Sequence, residues 1–315
     1  MTEDDLELDR LGLRDGVGTL ADGRAWLERL PRLVRDLREE WELRLGRPYV
    51  GGHGAWVAPA TCPDGSRAVL KIGYPHREAR AEADGLRLWD GRGAIRLLRA
   101  DEGRTAYLLE LCDPGEKLAT AEHIPAEDRL LIAADVLRTL WLPADAAAGT
   151  RIESVAEQMA WWADTADDRV AALAPEADRG LVRTGINLLR SLPTDAPRTV
   201  LLHGDFNPGN VLSAARAPWL AIDAKPLTGD PAFDPWPLLE QIDDPFAARF
   251  SQPSKVIEAR GTLLADALGV DAARIFAWGV AKRVEMAVSA ATEGDHEGCD
   301  EVLRQARVLV DLAGI

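Results

Sequence analysis

The chain has 315 residues, of which 47% are hydrophobic and 28% are charged, the proportions of a soluble globular protein. This length allows one large domain or two modest domains with substantial cores. The formal net charge of −15 disfavours a nucleic-acid partner, because phosphate backbones are bound by clustered Lys and Arg.

The hydropathy profile and the cysteines predict a cytoplasmic protein. No apolar run approaches the roughly 18 residues of a membrane helix. The N-terminus is acidic, so no signal or transit peptide is predicted. Cys62, Cys112 and Cys299 are widely spaced and form no C-x-x-C pair. This spacing argues against a disulfide framework or a zinc site and fits a reducing compartment.

The first predicted element is helical. Between residues 22 and 45, apolar side chains recur in steps of three and four, which places them on one face of a helix. Pro31 lies inside this pattern and is predicted to divide the helix into two pieces. The apolar positions are Leu27, Leu30, Val34, Leu37 and Trp41.

The period then changes to that of strands. Residues 47–61 and 67–72 are predicted to form two strands joined by a Pro-Asp-Gly turn. The first strand contains Gly51, Gly52 and Gly54, and such glycines let backbone N–H groups approach a phosphate. A plain hairpin turn would use the same residues, so both interpretations stay open.

A helix and two more strands complete the N-terminal part. Residues 76–89 have helical periodicity, and residues 94–100 and 104–111 are predicted strands. With 47–61 counted as two strands divided by its glycine turn, these segments give a five-stranded sheet. The rest of the chain is mainly helical. The predicted helices are 127–142, 152–173, 177–192, 231–241, 254–268, 271–292 and 297–313.

The helical part is interrupted by V-L-L-H-G-D-F-N-P-G-N-V-L, residues 200–212, and by a second apolar run that ends in Asp223. Short apolar runs and the Pro-Gly turn predict a small hairpin-like unit that carries Asp205, Asn210 and Asp223. Carboxylates of this kind suit Mg2+, which combines them with substrate phosphates. The spacing of Asp205 and Asn210 matches the H-R-D-x-x-x-x-N loop of protein kinases. This favours phosphoryl transfer over the alternative, a polar turn.

The motifs H-G-D-F-N-P-G-N-V-L and A-I-D-A-K-P-L-T-G-D-P-A-F-D resemble those of the aminoglycoside phosphotransferase family of kinase-like enzymes. The resemblance is to its streptomycin 6-kinase and hydroxyurea-resistance kinase branch. Ala224 stands where that branch has a proline, and Asn207 stands where many relatives have a second histidine. Asp230 before Pro231 also predicts a helix N-cap with proline at the first helical position.

The resemblance implies an α+β, protein-kinase-like two-lobe fold. A small N-terminal lobe with an antiparallel sheet, residues 1–112, would precede a larger, mainly helical C-terminal lobe, residues 113–315. At the hinge between the lobes, backbone groups of Glu110, Leu111 and Cys112 would contact the adenine of ATP.

The resemblance also implies a role for each polar residue of the 200–223 stretch. Asp205 would accept or orient the proton of the substrate hydroxyl. Asn210 and Asp223 would bind one or two Mg2+ ions. His203 is expected to hydrogen-bond the backbone beside the loop rather than act as a base.

A lysine and a glutamate of the N-terminal lobe complete the implied site. Lys71 has the position of the kinase lysine that contacts the α- and β-phosphates of ATP. Its expected partner is a glutamate in the following helix. The family pattern of a Glu preceding Leu-Trp favours Glu82 over Glu78, although either could be a solvated surface residue.

The predicted activity is transfer of the γ-phosphate of ATP to a hydroxyl of a small molecule, with an aminoglycoside such as streptomycin as the acceptor. A cationic, polyhydroxylated acceptor would suit the acidic stretches 230–248 and 292–301, although each acid taken singly is better explained as a solvated surface charge. One alternative is a metabolic kinase for a sugar, an amino sugar or a hydroxyurea-type compound. Another is a nucleotide-binding pseudokinase, which predicts a gap in the catalytic set that the sequence does not show. The sequence does not predict the oligomeric state, and a monomer is the default expectation.

Overall fold

The structure of the protein is a computed structural model, and the chain forms two compact units. The small unit contains the described residues up to Gly115 together with Ser213–Lys225. The large unit contains Glu116–Leu212 and Pro226–Ile315. The small unit is therefore discontinuous in sequence, whereas the sequence predicted a single division after residue 112. The residues that the structure describes are 12–13, 15–20, 22–50, 54–174 and 176–315.

The N-terminal helix α1 runs unbroken from Gly23 to Glu40, so the prediction that Pro31 divides it is wrong. A proline in a helix interior costs about 3 kcal/mol. Burying a large apolar side chain contributes about 1.5–3 kcal/mol, and α1 buries several of them on both sides of the proline. Packing of this face into the core therefore outweighs the missing hydrogen bond. The buried side chains are Trp26, Leu27, Leu30, Val34 and Leu37.

The small unit contains a five-stranded sheet in the order β1-β2-β3-β5-β4, as far as the described residues show, and its neighbouring strands are antiparallel. Helix α2, Glu82–Trp89, follows β3 and is preceded by a 3-10 helix, Arg77–Ala81. The strands are β1 Arg44–Leu45, β2 Ala55–Thr61, β3 Arg67–Gly73, β4 Leu97–Asp101 and β5 Ala106–Glu110.

Three predicted strands begin later than expected, and one of them is β4, which begins at Leu97 rather than at residue 94. Strand β2 begins at Ala55 rather than at residue 47, and the predicted positions Gly51 and Gly52 lie outside the described residues. Strand β5 begins at Ala106 rather than at residue 104. There the carboxylate of Asp101 accepts a hydrogen bond from the backbone N–H of Arg104 at 3.0 Å and closes a 3-10 turn.

The large unit is mainly helical, as predicted. Its small sheet has the order β7-β11-β8, with β11 parallel to β7 and antiparallel to β8. The helices are α3 Ala126–Leu140, α4 Val155–Arg169, α5 Arg179–Ser191, α6 Trp236–Gln241, α7 Pro253–Leu268, α8 Ala272–Thr292 and α9 His296–Ala313. The strands are β7 Glu153–Ser154, β8 Val200–Leu202 and β11 Leu227–Gly229.

Three short strands lie near the points where the chain passes from one unit to the other: β6 Pro114–Lys117, β9 Val211–Ala214 and β10 Trp219–Ala221. Strand β10 ends two residues before Asp223. Among the helices of the described residues, we find none with the length and apolar composition needed to cross a bilayer.

Helix α8 contributes many buried side chains to the large unit. Gly185 of α5 meets it so closely that a Cβ atom there would lie 2.4 Å from the side chain of Val284. Gly279 of α8 is equally restricted, because a Cβ atom would lie 2.7 Å from the ring of Trp236. Small residues at these two contacts therefore fix the position of α8, which carries Lys282.

Candidate active site

The small unit brings together Lys71, Glu82 and Asp223. The Lys71 Nζ donates to both carboxylate oxygens of Glu82, at 2.6 and 2.8 Å. The same nitrogen lies 2.5 Å from Oδ1 of Asp223. One ammonium group is therefore bound by two carboxylates within a single unit. We call these three residues the lysine cluster.

The local structure explains how the lysine cluster forms. Lys71 lies in β3 between Val57 of β2 and Tyr107 of β5, so the sheet fixes its backbone on both sides. Glu82 is the first residue of α2, where the partial positive charge of a helix N-terminus favours a carboxylate. Burial of both side chains excludes water from the ion pair.

The electrostatics of the lysine cluster keep Lys71 charged. Burial lowers the pKa of the Lys71 ammonium, but Asp223 and Glu82 outweigh that effect and raise it overall. For Glu82, burial raises the pKa of the carboxyl and the Lys71 ammonium opposes the rise. A permanently charged, rigidly held ammonium is suited to binding phosphate oxygens.

Asp223 differs from its two partners in exposure and in backbone conformation. Its side chain is 47% exposed, and its φ of 57° lies in the left-handed region. Asp is among the non-glycine residues that enter this region most readily. Such conformations are concentrated at functional sites. A half-exposed carboxylate here is the type of oxygen ligand that Mg2+ takes.

In the large unit, the loop after β8 holds Asp205 and Asn210 together. The Nδ2 of Asn210 donates to the backbone carbonyl of Asp205 at 3.0 Å. The Nδ2 of Asn207 donates to Oδ1 of Asp205 at 3.2 Å, and its Oδ1 accepts from the N–H of Gly209 at 3.0 Å. Because the nitrogen of Asn210 makes the loop contact, its amide oxygen is the atom suited to a cation.

Asp234 fixes the start of this loop. Its carboxylate oxygens accept from the backbone N–H groups of His203 and Gly204, both at 3.0 Å. Burial raises the pKa of the Asp234 carboxyl, and His203 together with those two N–H groups opposes the rise. His203 is fully buried, and its Nδ1 accepts from the N–H of Asp205 at 3.4 Å, so it contacts loop backbone as predicted.

Asp230 has the structural role that its position before Pro231 predicts. Its carboxylate caps the following 3-10 helix by accepting from the N–H of Ala232 at 3.0 Å. It also accepts from Nε of Arg274 at 2.5 Å and from the indole of Trp278 at 2.7 Å. Asp230 therefore ties the G-D-P-A-F-D segment to α8.

Sequence reasoning missed Lys282 of α8. Its Nζ donates to the carbonyl of Phe233 at 3.0 Å and lies 3.6 Å from the centroid of the Phe233 ring. Burial lowers the pKa of this ammonium to about 8, and the charges of Asp234, Glu240 and Asp205 only partly offset the effect. The available signal was a lysine in a helix that is otherwise largely apolar.

At the predicted hinge, both the backbone N–H and the carboxylate of Glu110 form hydrogen bonds within the small unit. Its backbone N–H donates to the carbonyl of Arg96 at 2.9 Å, and its carboxylate is paired with Arg216. Leu111 and Cys112 follow the end of β5. Burial raises the pKa of the Cys112 thiol to about 11, so this cysteine is a neutral packing residue at physiological pH.

Gly54 is the described member of the predicted glycine-rich turn. It is exposed, and its carbonyl accepts from the N–H of Tyr74 at 2.8 Å, directly before β2. A Cβ atom at Gly54 would meet nothing within 4 Å, so neighbouring atoms do not require a glycine here. Its predicted contact with phosphate stays a prediction.

Together, a buried lysine held by a helix glutamate, an Asp/Asn loop and a separate acid form the residue set of a kinase-type phosphotransferase. Solved structures have the same fold. The choline kinase LicA from Streptococcus pneumoniae matches with a TM-score of 0.60 at 15% identity, over 90% of this chain and 99% of that chain. A crystal structure of LicA in complex with AMP matches with a TM-score of 0.59. The predicted kinase-like fold class is therefore confirmed.

Sequence comparison identifies the family. Residues 40–294 match the family of aminoglycoside/hydroxyurea antibiotic resistance kinases. A streptomycin 6-kinase of Streptomyces glaucescens is 38% identical over 264 residues, 82% of this chain and 81% of that protein. A hydroxyurea phosphotransferase of Kitasatospora aureofaciens is 33% identical over 294 residues, 93% of this chain and 83% of that protein. The chain belongs to this family and is an enzyme of the phosphotransferase class.

Proposed function

We propose that this enzyme transfers the γ-phosphate of ATP to a hydroxyl group of an aminoglycoside such as streptomycin. The lysine cluster carries the nucleotide part of the proposal. The buried ammonium of Lys71, held by Glu82 and Asp223 at 2.5–2.8 Å, supplies the fixed positive charge that nucleotide phosphates require. The 38% identity to a streptomycin 6-kinase supports the acceptor class.

Each candidate site residue then has a defined role in the reaction. Lys71 binds the α- and β-phosphates, and Glu82 holds its ammonium in place. Asn210 and Asp223 are the residues that would hold Mg2+, which neutralises phosphate charge when bound. Phosphoryl transfer depends mainly on positioning and on charge stabilisation, so these contacts account for much of the expected rate.

The large unit supplies the group that acts on the acceptor. Asp205 orients the acceptor hydroxyl and accepts its proton during transfer. Asn207 holds Oδ1 of that carboxylate, and Asp234 holds the loop backbone. The acceptor site therefore depends on a loop whose conformation is fixed before substrate arrives.

A hydroxyurea-type compound is the second candidate acceptor. It is supported by the hydroxyurea phosphotransferase that matches 93% of this chain. Sugars and amino sugars stay alternatives within the same chemistry. A catalytically inactive pseudokinase is not supported, because Lys71, Asp205, Asn210 and Asp223 are all present. The free thiols of the three cysteines support the proposed cytoplasmic location.

Mass spectrometry of candidate acceptors after incubation with ATP and Mg2+ tests the proposal. Streptomycin should gain the mass of one phosphate, and hydroxyurea and glucosamine serve as competing acceptors. Asp205→Asn should abolish most of the product, whereas Asp135→Asn, whose side chain is 80% exposed on α3, should not. Phosphorylation of hydroxyurea alone would replace the aminoglycoside assignment. Absence of any phosphorylated acceptor, with protein that binds ATP, would contradict the proposed function.

A further inference from the structure

Asp223 lies in a segment of the small unit that interrupts the large unit in sequence. The segment Ser213–Lys225 leaves the large unit, contributes to the small unit and returns at Pro226. The position of the Asp223 carboxylate, proposed above as a metal ligand, therefore depends on the contacts that fix this segment to the small unit. Besides the contact of Asp223 with Lys71, two further sets of contacts do so.

The first set comes from one side chain, Arg216, in the turn between β9 and β10. Its Nε donates to Oε1 of Glu110 at 2.8 Å, and its Nη2 donates to Oε2 at 2.9 Å. Its Nη1 donates to the carbonyl of Gly91 at 2.7 Å, and its Nη2 also donates to the carbonyl of Ala94 at 3.0 Å. One guanidinium thus joins the 213–225 segment to the end of β5 and to the loop before β4.

The second set is backbone pairing at the end of β10. Ala221 donates to the carbonyl of Gly93 at 2.8 Å, and Ile95 donates to the carbonyl of Ala221 at 3.1 Å. The loop 91–95 therefore contacts the segment twice, through Arg216 and through Ala221. Asp223 follows Ala221 by two residues, so this backbone pairing restricts the position of Asp223.

The geometry of the Arg216–Glu110 pair makes it more than a surface ion pair. A planar guanidinium on a carboxylate through two parallel hydrogen bonds fixes orientation as well as distance. The side chains are only 28% and 19% exposed. Burial raises the pKa of the Glu110 carboxyl, but the hydrogen bond from Arg216 and the N–H of Arg96 outweigh this effect and lower it overall.

We infer that Arg216 is a positioning residue for binding of the metal–nucleotide complex, because it fixes the Asp223 segment to the unit that carries Lys71 and Glu82. This inference rests on the proposed function. Arg216 acts on Asp223 indirectly, through the β9–β10 turn and the loop 91–95. Its loss therefore weakens nucleotide binding while it leaves the acceptor loop of the large unit unchanged.

Steady-state kinetics with ATP and acceptor varied separately test the inference. Arg216→Met should raise the KM for ATP by about 10- to 100-fold, the usual effect of losing a residue that orients a metal ligand. The KM for the acceptor should stay close to that of the unchanged enzyme. Arg216→Lys keeps the charge but cannot make the paired contact with Glu110, so it should be intermediate. Glu110→Gln should resemble Arg216→Lys.

Arg92→Met is the matched control. Arg92 is an exposed arginine of the same loop region that also donates to two carbonyls, those of Leu88 and Trp89, both at 3.2 Å. Those bonds remain at the end of α2, so this variant should have an unchanged KM for ATP. A purely structural role of Arg216 would instead lower the Tm and raise both KM values together.

The outcomes separate the inference from the proposed function. If the unchanged enzyme phosphorylates no acceptor with ATP, the proposed function fails. If it does, and Arg216→Met keeps the KM for ATP or changes both KM values equally, the inference alone fails. Should Arg216→Met not fold, Arg216→Lys and Glu110→Gln decide by the same comparison, supported by titration of ATP and Mg2+ into the folded variants.

Discussion

Lys282 makes a specific prediction about stability and pH. Its ammonium donates to the carbonyl of Phe233 and lies over the Phe233 ring, and the charges of Asp234, Glu240 and Asp205 act on it. Burial lowers its pKa from 10.5 to about 8. The unfolded chain therefore binds more protons at this position than the folded chain between about pH 8 and pH 10.5.

The sign and the size of the effect follow from proton linkage. Because the unfolded state holds the extra proton in this window, raising the pH favours the folded state. A shift of 2.5 pKa units, from 10.5 to about 8, sets the upper limit. Since each unit corresponds to about 1.4 kcal/mol, the gain between pH 7.5 and pH 10 is at most about 2.4 kcal/mol. Lys282 is partly accessible to solvent, so we expect about 1–2 kcal/mol.

Urea unfolding of the unchanged protein and of Lys282→Met measures this difference. Methionine has a similar length and carries no charge, and all other titrating groups are shared by the two proteins. The free energy of unfolding of the unchanged protein, minus that of the variant, should rise by about 1–2 kcal/mol from pH 7.5 to pH 10. A difference that stays constant over this range, or falls, would refute the argument that Lys282 is held in a desolvated site.

Three further substitutions test the rest of the site. Asp205→Ala should lower kcat by about 10²- to 10⁴-fold, as expected for a general base, with little change in the KM for ATP; a normal kcat would remove that role. Glu82→Gln should raise the KM for ATP in the same assay, because it removes the charge that holds the phosphate-binding lysine, and an unchanged KM would show that the lysine does not need it. Asp230→Ala should lower the free energy of unfolding by about 3–5 kcal/mol, because it removes the buried acceptor of Arg274. Asp195→Ala removes the second carboxylate partner of Arg274, which is 67% exposed, and should cost no more than about 1 kcal/mol. Equal losses in urea unfolding would therefore contradict the assignment.

The parts of the fold that the sequence predicted correctly are those in which local pattern and tertiary packing agree. Helices α3 and α8 begin and end within two residues of the periodic segments 127–142 and 271–292. The prediction for helix α1 was wrong at Pro31. It gave more weight to the rule that proline breaks a helix than to the apolar face that continues past this residue. The stabilisation gained by burying that face depends on packing partners distant in sequence, which periodicity does not reveal.

The candidate site divides in the same way. Asp205 and Asn210 lie in one loop, and their spacing is itself the chemical signal, so a single sequence indicates them. Lys282 and Arg216 act through contacts with residues 49 and 106 positions away. Neither separation corresponds to a known sequence motif. These contacts can therefore be recognised only in the folded structure.

The choice between Glu78 and Glu82 shows why a site residue can depend on one turn of helix. Glu78 lies in the 3-10 helix Arg77–Ala81, and Glu82 begins α2. Periodicity predicted one continuous helix over 76–89 and therefore placed both glutamates on similar surfaces. The change from 3-10 to α geometry at Glu82 separates them, because Leu86 and Trp89 of α2 are buried and fix the rotation of that helix alone. The carboxylate of Glu82 accepts from Lys71 at 2.6 and 2.8 Å, and the buried face of α2 helps to keep it in that position.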